Sequence, residues 1–273
     1  MVKRIILTAM AVAILLGAGA QEKKQADTLQ CAVVGFSFGA LMPGYGSASE
    51  GALGGNMGDL YKGPYLDFGI EGDYKFASGW MLTLNGNLWF GYNNDNLRDR
   101  SVRMNDIFQP TGVALSWSGV DGNVAAHNRS LAARLGVAKI IRVIPGNPNS
   151  GILLGLSGGW MMQKTVFMQD MNDSPVPQLM GDYGKLYDHL RNGAILTQSL
   201  GFCYMANYLT YVNLKVEFTV SECFLWPTRN YQIDNLMGLN GKDPNRYFDL
   251  LYGLKLTWMF PLMGKTTYDY YYY

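Results

Sequence analysis

The sequence has no apolar run long enough for a membrane-spanning helix beyond its first twenty residues. Such a helix needs about 20 consecutive apolar residues, and charged or polar residues interrupt every later apolar stretch. Cysteine is also scarce, and the three present (Cys31, Cys203 and Cys223) cannot all pair. Their wide spacing matches neither a metal-binding motif nor a disulfide framework, so we expect them to be small core residues.

The sequence also has no excess of either charge, since it contains 22 basic and 21 acidic residues and has a net charge of +1. This balance leaves no general basic surface and predicts no nucleic-acid partner. Only two histidines occur, His127 and His189, and we expect both to lie in loops. The chain contains no Gly-x-Ser-x-Gly elbow and no His-Glu-x-x-His motif. We therefore predict no catalytic residues, no metal site and no cofactor.

The first twenty residues have the pattern of a secretory signal peptide. Lys3 and Arg4 precede an apolar segment that extends to Leu16, and Ala18-Gly19-Ala20 fits a small-residue cleavage site. The sequence therefore predicts export, with residues 1–20 as the signal peptide and 21–29 as a short periplasmic segment.

Apolar and polar residues alternate along much of the remaining chain. Within 210–220 the even positions from Val212 onward are all apolar, whereas the odd positions include Asn213, Lys215 and Glu217. A period of two is typical of a β-strand with one apolar face and differs from the helical period of 3.6. Eight segments show this pattern: 31–40, 65–76, 80–91, 130–143, 151–163, 193–204, 210–220 and 249–260.

Short and long connections alternate between these segments, as in bacterial outer-membrane barrels. We predict an all-β fold, an eight-stranded antiparallel up-and-down β-barrel over 30–262, located in the cell outer membrane. Both termini would be periplasmic, including a Tyr-rich tail at 263–273. A soluble sandwich or lipocalin-like barrel also alternates. The apolar faces of about ten positions and the aromatic residues near strand ends favour the membrane barrel.

Charged residues of both signs fall on the predicted inner face of the barrel. Eight strands enclose an interior just wide enough for side chains to fill, so these charges must be paired or hydrogen-bonded. We predict a structural polar network in the lumen, with a narrow ion path as the alternative. Its members are Asp67, Glu71, Asp73, Lys75, Arg134, Lys215, Glu217, Asp249 and Lys255.

The third long loop, 168–192, holds the densest group of polar and aromatic residues in the chain. Long loops on a rigid scaffold often carry function, so a partner-binding surface is one interpretation. The other is a loop that closes the barrel mouth, and the sequence favours neither. The candidate binding residues are Gln178, Asp182, Tyr183, Lys185, Tyr187, Asp188 and His189.

Three stretches and the Tyr-rich end resemble a family of small outer-membrane barrels from Bacteroidota. The stretches are 148–151, 176–188 and 248–253. The resemblance implies an accessory role in type IX secretion or outer-membrane assembly. We therefore expect a non-enzymatic barrel whose partners are outer-membrane lipid and a protein of an envelope complex. A small-solute pore and a lipid-modifying enzyme built on Asp188, His189 and a rim serine are the alternatives.

Overall fold

The computed structural model describes residues 30–44, 57–92, 97, 108, 114–144, 147, 149–169, 175–205, 213–228 and 246–262. The predicted signal peptide, the segment 21–29 and the Tyr-rich tail lie outside the described residues.

Eight antiparallel strands form one closed barrel in which each strand pairs with its neighbours in sequence and β8 pairs with β1. The predicted fold class is confirmed. The strands are β1 (Cys31–Pro43), β2 (Tyr65–Lys75), β3 (Trp80–Gly91), β4 (Val124–Arg142), β5 (Gly151–Gln169), β6 (Arg191–Tyr204), β7 (Leu214–Pro227) and β8 (Tyr247–Leu262). The short helix α1 (Met57–Leu60) and two 3-10 turns (Pro177–Leu179 and Tyr183–Leu186) lie in the connections.

The strands are strongly staggered around the barrel. Paired residues followed once around the barrel from Val33 lead back to β1 at Pro43, ten residues further along. Stagger of this kind requires the strands to tilt against the barrel axis, by about 35–45° in typical barrels. The tilt brings residues from strands that are distant in sequence to the same depth in the lumen.

The outer surface of the barrel is apolar, and the inner surface is polar. Phe36, Leu84 and Leu254 point outward with exposed fractions of 58–61%. A soluble protein rarely exposes a continuous apolar surface of this extent. Aromatic residues mark both edges of the apolar band, with Trp80 and Tyr204 near the short turns and Tyr92 and Trp226 near the long loops. Together these features define a membrane-spanning barrel.

Within the part of the chain that the structure describes, no helix has the length and hydropathy needed to cross a membrane.

Two strands continue past the barrel wall at the end that carries the long loops. Residues 124–128 of β4 pair only with residues 165–169 of β5, because β3 stops pairing at Arg129 and β6 at Gln163. We refer to this two-stranded extension as the β4–β5 ribbon.

The ribbon corrects two expectations from the sequence. The predicted strands began at residue 130 and ended at residue 163, and His127 was expected in a loop; His127 instead lies in β4 and is buried. Beyond the closed wall, the β4 part of the ribbon (124–128) no longer alternates large apolar with polar residues, whereas the β5 part still exposes Met168. Strand β7 is also displaced from its predicted range of 210–220, since it continues to Pro227.

Glycine at position 39 allows β1 to lie close against β8. A Cβ atom on Gly39 would lie 2.5 Å from the carbonyl oxygen of Leu254 and 3.1 Å from the Cα atom of Lys255. Both neighbours are backbone atoms, which cannot move without disturbing the pairing of the two strands.

We expect Gly39→Ala to lower the free energy of unfolding by about 1–3 kcal/mol because the added methyl group overpacks this seam. Urea unfolding in lipid vesicles measures the change. Gly72→Ala is the matched control, since a Cβ atom at Gly72 meets nothing within 4 Å. Equal stability of the two variants would contradict the role given to Gly39.

Candidate functional site

The barrel lumen is filled in successive layers. At the end with the short turns, small and apolar side chains form a closed layer, which we call the turn-end plug. Its members are Cys31, Val33, Met81, Ala138, Ile140, Leu153, Cys203, Met205 and Met259. Cys31 and Cys203 lie in this layer, and Cys223 lies in the apolar layer at the other end of the barrel. All three are free and buried, as the sequence predicted.

Above the turn-end plug, two lysines and three carboxylates form a central ion cluster. The Lys215 ammonium lies 2.6 Å from Glu71, 3.2 Å from Asp73 and 3.5 Å from Glu217. The Lys255 ammonium lies 3.1 Å from Glu217 and also bonds to Glu71. Each carboxylate of the cluster therefore contacts at least one cation, which offsets the cost of burying these charges.

Strand β1 makes this cluster possible by presenting small residues to the lumen. Glu71 of β2 and Lys255 of β8 lie on opposite sides of β1, where Gly35, Ser37 and Gly39 point inward. A large side chain at these positions would occupy the space through which the lysine reaches the carboxylate. The small residues of β1 therefore allow the second and last strands to form an ionic contact across the first.

A chain of hydrogen bonds crosses the lumen next to the ion cluster. Arg134 donates to Asn87 at 2.5 Å and to Thr197 at 3.0 Å. Asn87 in turn donates to Asp67 at 2.7 Å, and the hydroxyl groups of Thr197 and Ser221 lie 2.8 Å apart. This polar belt ties together β2, β3, β4, β6 and β7.

All nine residues predicted for the lumen network lie inside the barrel with exposed fractions of at most 5%. Two of them lie apart from the cluster and the belt. Lys75 is at the turn end, where it donates to Asn149 at 2.8 Å, and Asp249 is at the loop end, where it accepts the N–H of Met57 at 2.5 Å.

Arg191 is a lumen charge that the sequence reasoning missed. Its guanidinium lies 3.7 Å from the ring centroid of Tyr247. If the alternation of the predicted strand 193–204 is extended by two residues toward the N-terminus, Arg191 falls on the inward face. With Arg191 included, five acidic and five basic side chains face the lumen among the described residues, so their formal charges cancel.

Aromatic residues from the loops and the β4–β5 ribbon close the other end of the lumen; we call this layer the loop cap. The ring of Phe108 stacks on Tyr187 at 5.1 Å and meets Phe167 edge-on at 5.8 Å. The hydroxyl of Tyr61 bonds to that of Thr165 on the ribbon. Burial raises the pKa of the Tyr61 and Tyr187 phenols, so both stay protonated near neutral pH.

Most of the described loop between β5 and β6 is used to build the cap. Tyr187 is buried, and Asp188 accepts backbone N–H groups from Thr165 at 2.7 Å and from Leu190 at 3.2 Å. His189 has a φ of 46°, and burial followed by repulsion from Arg191 lowers its pKa to about 3. These contacts support the cap interpretation of the loop.

The remaining candidate residues of this loop differ in accessibility. Asp182 and Lys185 are exposed and form an ion pair at 2.5 Å, which lowers the pKa of the Asp182 carboxyl. Gln178 is half-buried, and the side chain of Tyr183 lies outside the described residues. Among the candidate residues whose side chains the structure describes, only Asp182 and Lys185 are exposed enough for a partner to contact them directly.

A second exposed feature of the cap comes from a hairpin over residues 114–122, here called the Trp117 hairpin. Trp117 and Val120 at its tip are 72% and 62% exposed. The turn is held by bonds from Ser116 N–H to the Val120 carbonyl at 2.9 Å and from Gly119 N–H to the Ser116 carbonyl at 3.0 Å. Gly119 supplies the positive φ of 75° that this turn requires.

The alternation pattern does not single out this hairpin between the predicted strands 80–91 and 130–143. The signal that could have done so is Trp117-Ser118-Gly119, an aromatic residue next to a turn-forming pair. The N–H of Trp117 also bonds to the carbonyl of Pro175 at 3.3 Å, which attaches the hairpin to the loop that follows β5.

One small cavity of about 20 Å³ lies in the lumen beside the ion cluster. Asn85, Arg134, Thr197 and Lys215 are among its lining residues. A volume of this size holds roughly one water molecule. Across the described residues, no group of three or more His, Cys, Asp or Glu side chains is placed to hold a metal ion.

No protein-family model matches the chain, and no curated protein matches it. Solved structures of small outer-membrane proteins are similar to it. Ail of Yersinia pestis shares 10% identity over 85% of this chain and 97% of its own, with a TM-score of 0.38. Neisserial surface protein A shares 9% identity over 85% of this chain and 97% of its own, with a TM-score of 0.40. The outer membrane protein AlkL shares 12% identity over 90% of this chain and 99% of its own, with a TM-score of 0.31. Similarities this low assign no activity to the chain.

The closed strand topology, the apolar outer band and the filled polar lumen define the class of this protein on their own. It is an eight-stranded β-barrel of the outer membrane, in agreement with the predicted fold and location.

We expect Lys255→Met to destabilise the barrel by about 3–5 kcal/mol, because the variant leaves Glu71 and Glu217 with one cation fewer in a buried site. Urea unfolding in lipid vesicles measures the loss. The double variant Lys255→Met with Glu217→Gln removes one charge of each sign and should recover part of it. If the double variant is the less stable of the two, the ionic contact is not the source of the effect.

We expect the loop cap to weaken as the pH falls from about 6.5 toward 3. A histidine whose folded-state pKa is lowered to about 3 binds a proton more readily when the cap is open, so protonation favours opening. Between pH 7.5 and 5 the loss is up to about 2 kcal/mol.

Hydrogen exchange of the Tyr187 and Leu190 amides, corrected for the intrinsic rate at each pH, measures this effect. His189→Asn is the control, because asparagine tolerates a positive φ and does not titrate. The histidine has no part in the pH response if both proteins lose protection equally.

Proposed function

We propose that this protein is a non-enzymatic accessory subunit of an envelope complex, in which the barrel anchors an outward-facing docking surface. The observation that carries the proposal is the lumen, which is filled along its length by the turn-end plug, the central ion cluster, the polar belt and the loop cap. A barrel with a filled interior acts through the surface that it presents outside the membrane.

The same observation disfavours the pore alternative. The lumen cavity of about 20 Å³ lies between the turn-end plug and the polar belt and has room for roughly one water molecule. Moving an ion through the lumen would require breaking contacts such as Lys215–Glu71 at 2.6 Å.

The lipid-modifying alternative depends on Asp188, His189 and a serine at the rim. Both residues belong to the loop cap, where the backbone carbonyl of Asp188 accepts the N–H of Thr165 and its carboxylate accepts the N–H of Leu190. A general base works best with a pKa near the operating pH, and His189 has a pKa of about 3. These features favour a structural role for the pair and support the non-enzymatic proposal.

The Trp117 hairpin is the part of the surface best suited to dock a protein. Tryptophan is enriched among the residues that contribute most to protein interfaces, because it buries a large area when it fills a pocket. Four backbone hydrogen bonds hold the hairpin in one shape, including the bond from Trp117 to Pro175. Binding therefore loses little conformational entropy there.

Secretion or outer-membrane assembly in a bacterium of the phylum Bacteroidota is the process that we propose for this complex. The support is the sequence resemblance of the 176–188 loop, the 248–253 segment and the Tyr-rich end. Identification of the captured partner therefore tests the process together with the docking role.

We expect tagged protein extracted from outer membranes in mild detergent to carry stoichiometric envelope components, identified by mass spectrometry. Trp117→Ala should reduce the captured amount at least about tenfold, in line with a loss of 2 kcal/mol or more at an interface hot spot. Trp226→Ala is the matched control, because Trp226 is also exposed but lies on the lipid-facing surface. Recovery of the barrel alone, with correct folding, would contradict the proposal.

We also expect the purified barrel to give no ion conductance in a planar lipid bilayer. A variant that removes part of the filling, Lys215→Ala with Lys255→Ala, serves as the comparison if it still folds. Stable unitary currents from the wild-type protein would favour the pore alternative over the accessory role.

A further inference from the structure

Two basic residues lie side by side on the outward face of the barrel, at the base of the β4–β5 ribbon. Arg129 of β4 and Lys164 of β5 are directly opposed partners in the register of these strands. Arg129 is exposed, whereas Lys164 is half-buried against the barrel wall. Opposed residues on one face of a sheet have Cβ atoms roughly 4.5–5.5 Å apart, so both cations can reach a common ligand.

This arrangement is unfavourable without a counter-ion. Like charges directly opposed across two strands repel each other. Among the described residues, the side chains of Arg129 and Lys164 form no ion pair, hydrogen bond or ring contact. In this respect the pair differs from the lumen lysines Lys215 and Lys255, which contact carboxylates.

The position of the pair in the membrane indicates what neutralises it. The next outward pair along the same strands, toward the bilayer, is Leu131 with Met162, followed by Trp160 on β5. Phe90 of β3 is the partner of Arg129 on its other side. The two cations therefore lie at the rim of the closed wall, where β3 and β6 stop pairing with these strands, near the level of lipid headgroups and with apolar side chains directly beneath them.

The ribbon belongs to the end of the barrel that carries the long loops, which faces the cell exterior in outer-membrane barrels. The headgroups at that level are those of the outer leaflet, whose glycolipids carry phosphate groups on their sugars. Arginine and lysine both bind phosphate through charge-assisted hydrogen bonds.

We propose that Arg129 and Lys164 form a binding site for the phosphate group of an outer-leaflet glycolipid, with its acyl chains against Leu131, Met162 and Trp160. The lipid is favoured over free phosphate because the apolar residues beneath the cations offer acyl chains a surface that a free ion does not use. The site is separate from the Trp117 hairpin and does not depend on the accessory role.

Native mass spectrometry of the full chain from phosphatidylcholine nanodiscs that contain lipid A tests this site. The wild-type protein should retain lipid A. The double variant Arg129→Gln with Lys164→Gln should retain roughly threefold to tenfold less, as expected for two partly exposed charged contacts. Arg246→Gln is the control for the loss of a basic residue elsewhere at the loop end, since Arg246 is exposed just before β8; it should retain lipid A as the wild type does.

Two further comparisons determine the chemistry of the ligand. Lipid A from which the phosphate groups have been removed should not be retained by the wild-type protein. Inorganic phosphate in excess should leave the retained lipid A largely in place. The proposal is wrong if the double variant retains lipid A as the wild type does, if the dephosphorylated lipid binds equally, or if inorganic phosphate alone displaces the lipid.

Discussion

The contact on which the rest of the structure depends is the pairing of Lys215 and Lys255 with Glu71 and Glu217 at the centre of the lumen. A barrel in a bilayer does not have the apolar core of a soluble protein, because its apolar residues face lipid. Its polar residues are instead enclosed by the wall of the barrel. Those enclosed charges are tolerated only when each finds a partner. The cluster fixes the register of the strands that supply it, since a slip of one residue would turn a lysine or a carboxylate toward lipid.

The ion cluster also explains why the small residues of β1 matter as much as the charges. Gly35, Ser37 and Gly39 lie between β2 and β8 and leave the space in which Lys255 meets Glu71. The turn-end plug and the loop cap then exclude the cluster from water at both ends of the barrel. Filling the lumen in this way shifts the chemistry of recognition to the outside, where the Trp117 hairpin and the Arg129–Lys164 pair are exposed.

Much of the barrel could be predicted from the sequence because lipid imposes a strict period of two on every strand that it touches. The inward positions of Glu71, Lys215 and Lys255 follow from that period alone.

The prediction of strand ends was wrong for β4 and β5, beyond the part of the barrel that contacts lipid. The β4 part of the β4–β5 ribbon, with His127 inside it, lacks the alternation of large apolar and polar residues, so nothing local distinguished it from a loop. The partners of Arg134 and the packing of Phe108 on Tyr187 depend on barrel closure and stagger, which no single segment encodes. The Arg129–Lys164 site requires the register between two strands that are more than thirty residues apart in sequence.

The stagger of the strands has a consequence for how the protein is made. The carboxylate of Glu71 belongs to the second strand to leave the ribosome, and the cations that neutralise it belong to the seventh and eighth. A chain truncated before its last strand would lack the Lys255 ammonium that contacts Glu71 and Glu217, and its sheet would keep an open edge. The ionic contact across β1 can therefore form only after the whole barrel sequence has been synthesised and the last strand has paired with the first.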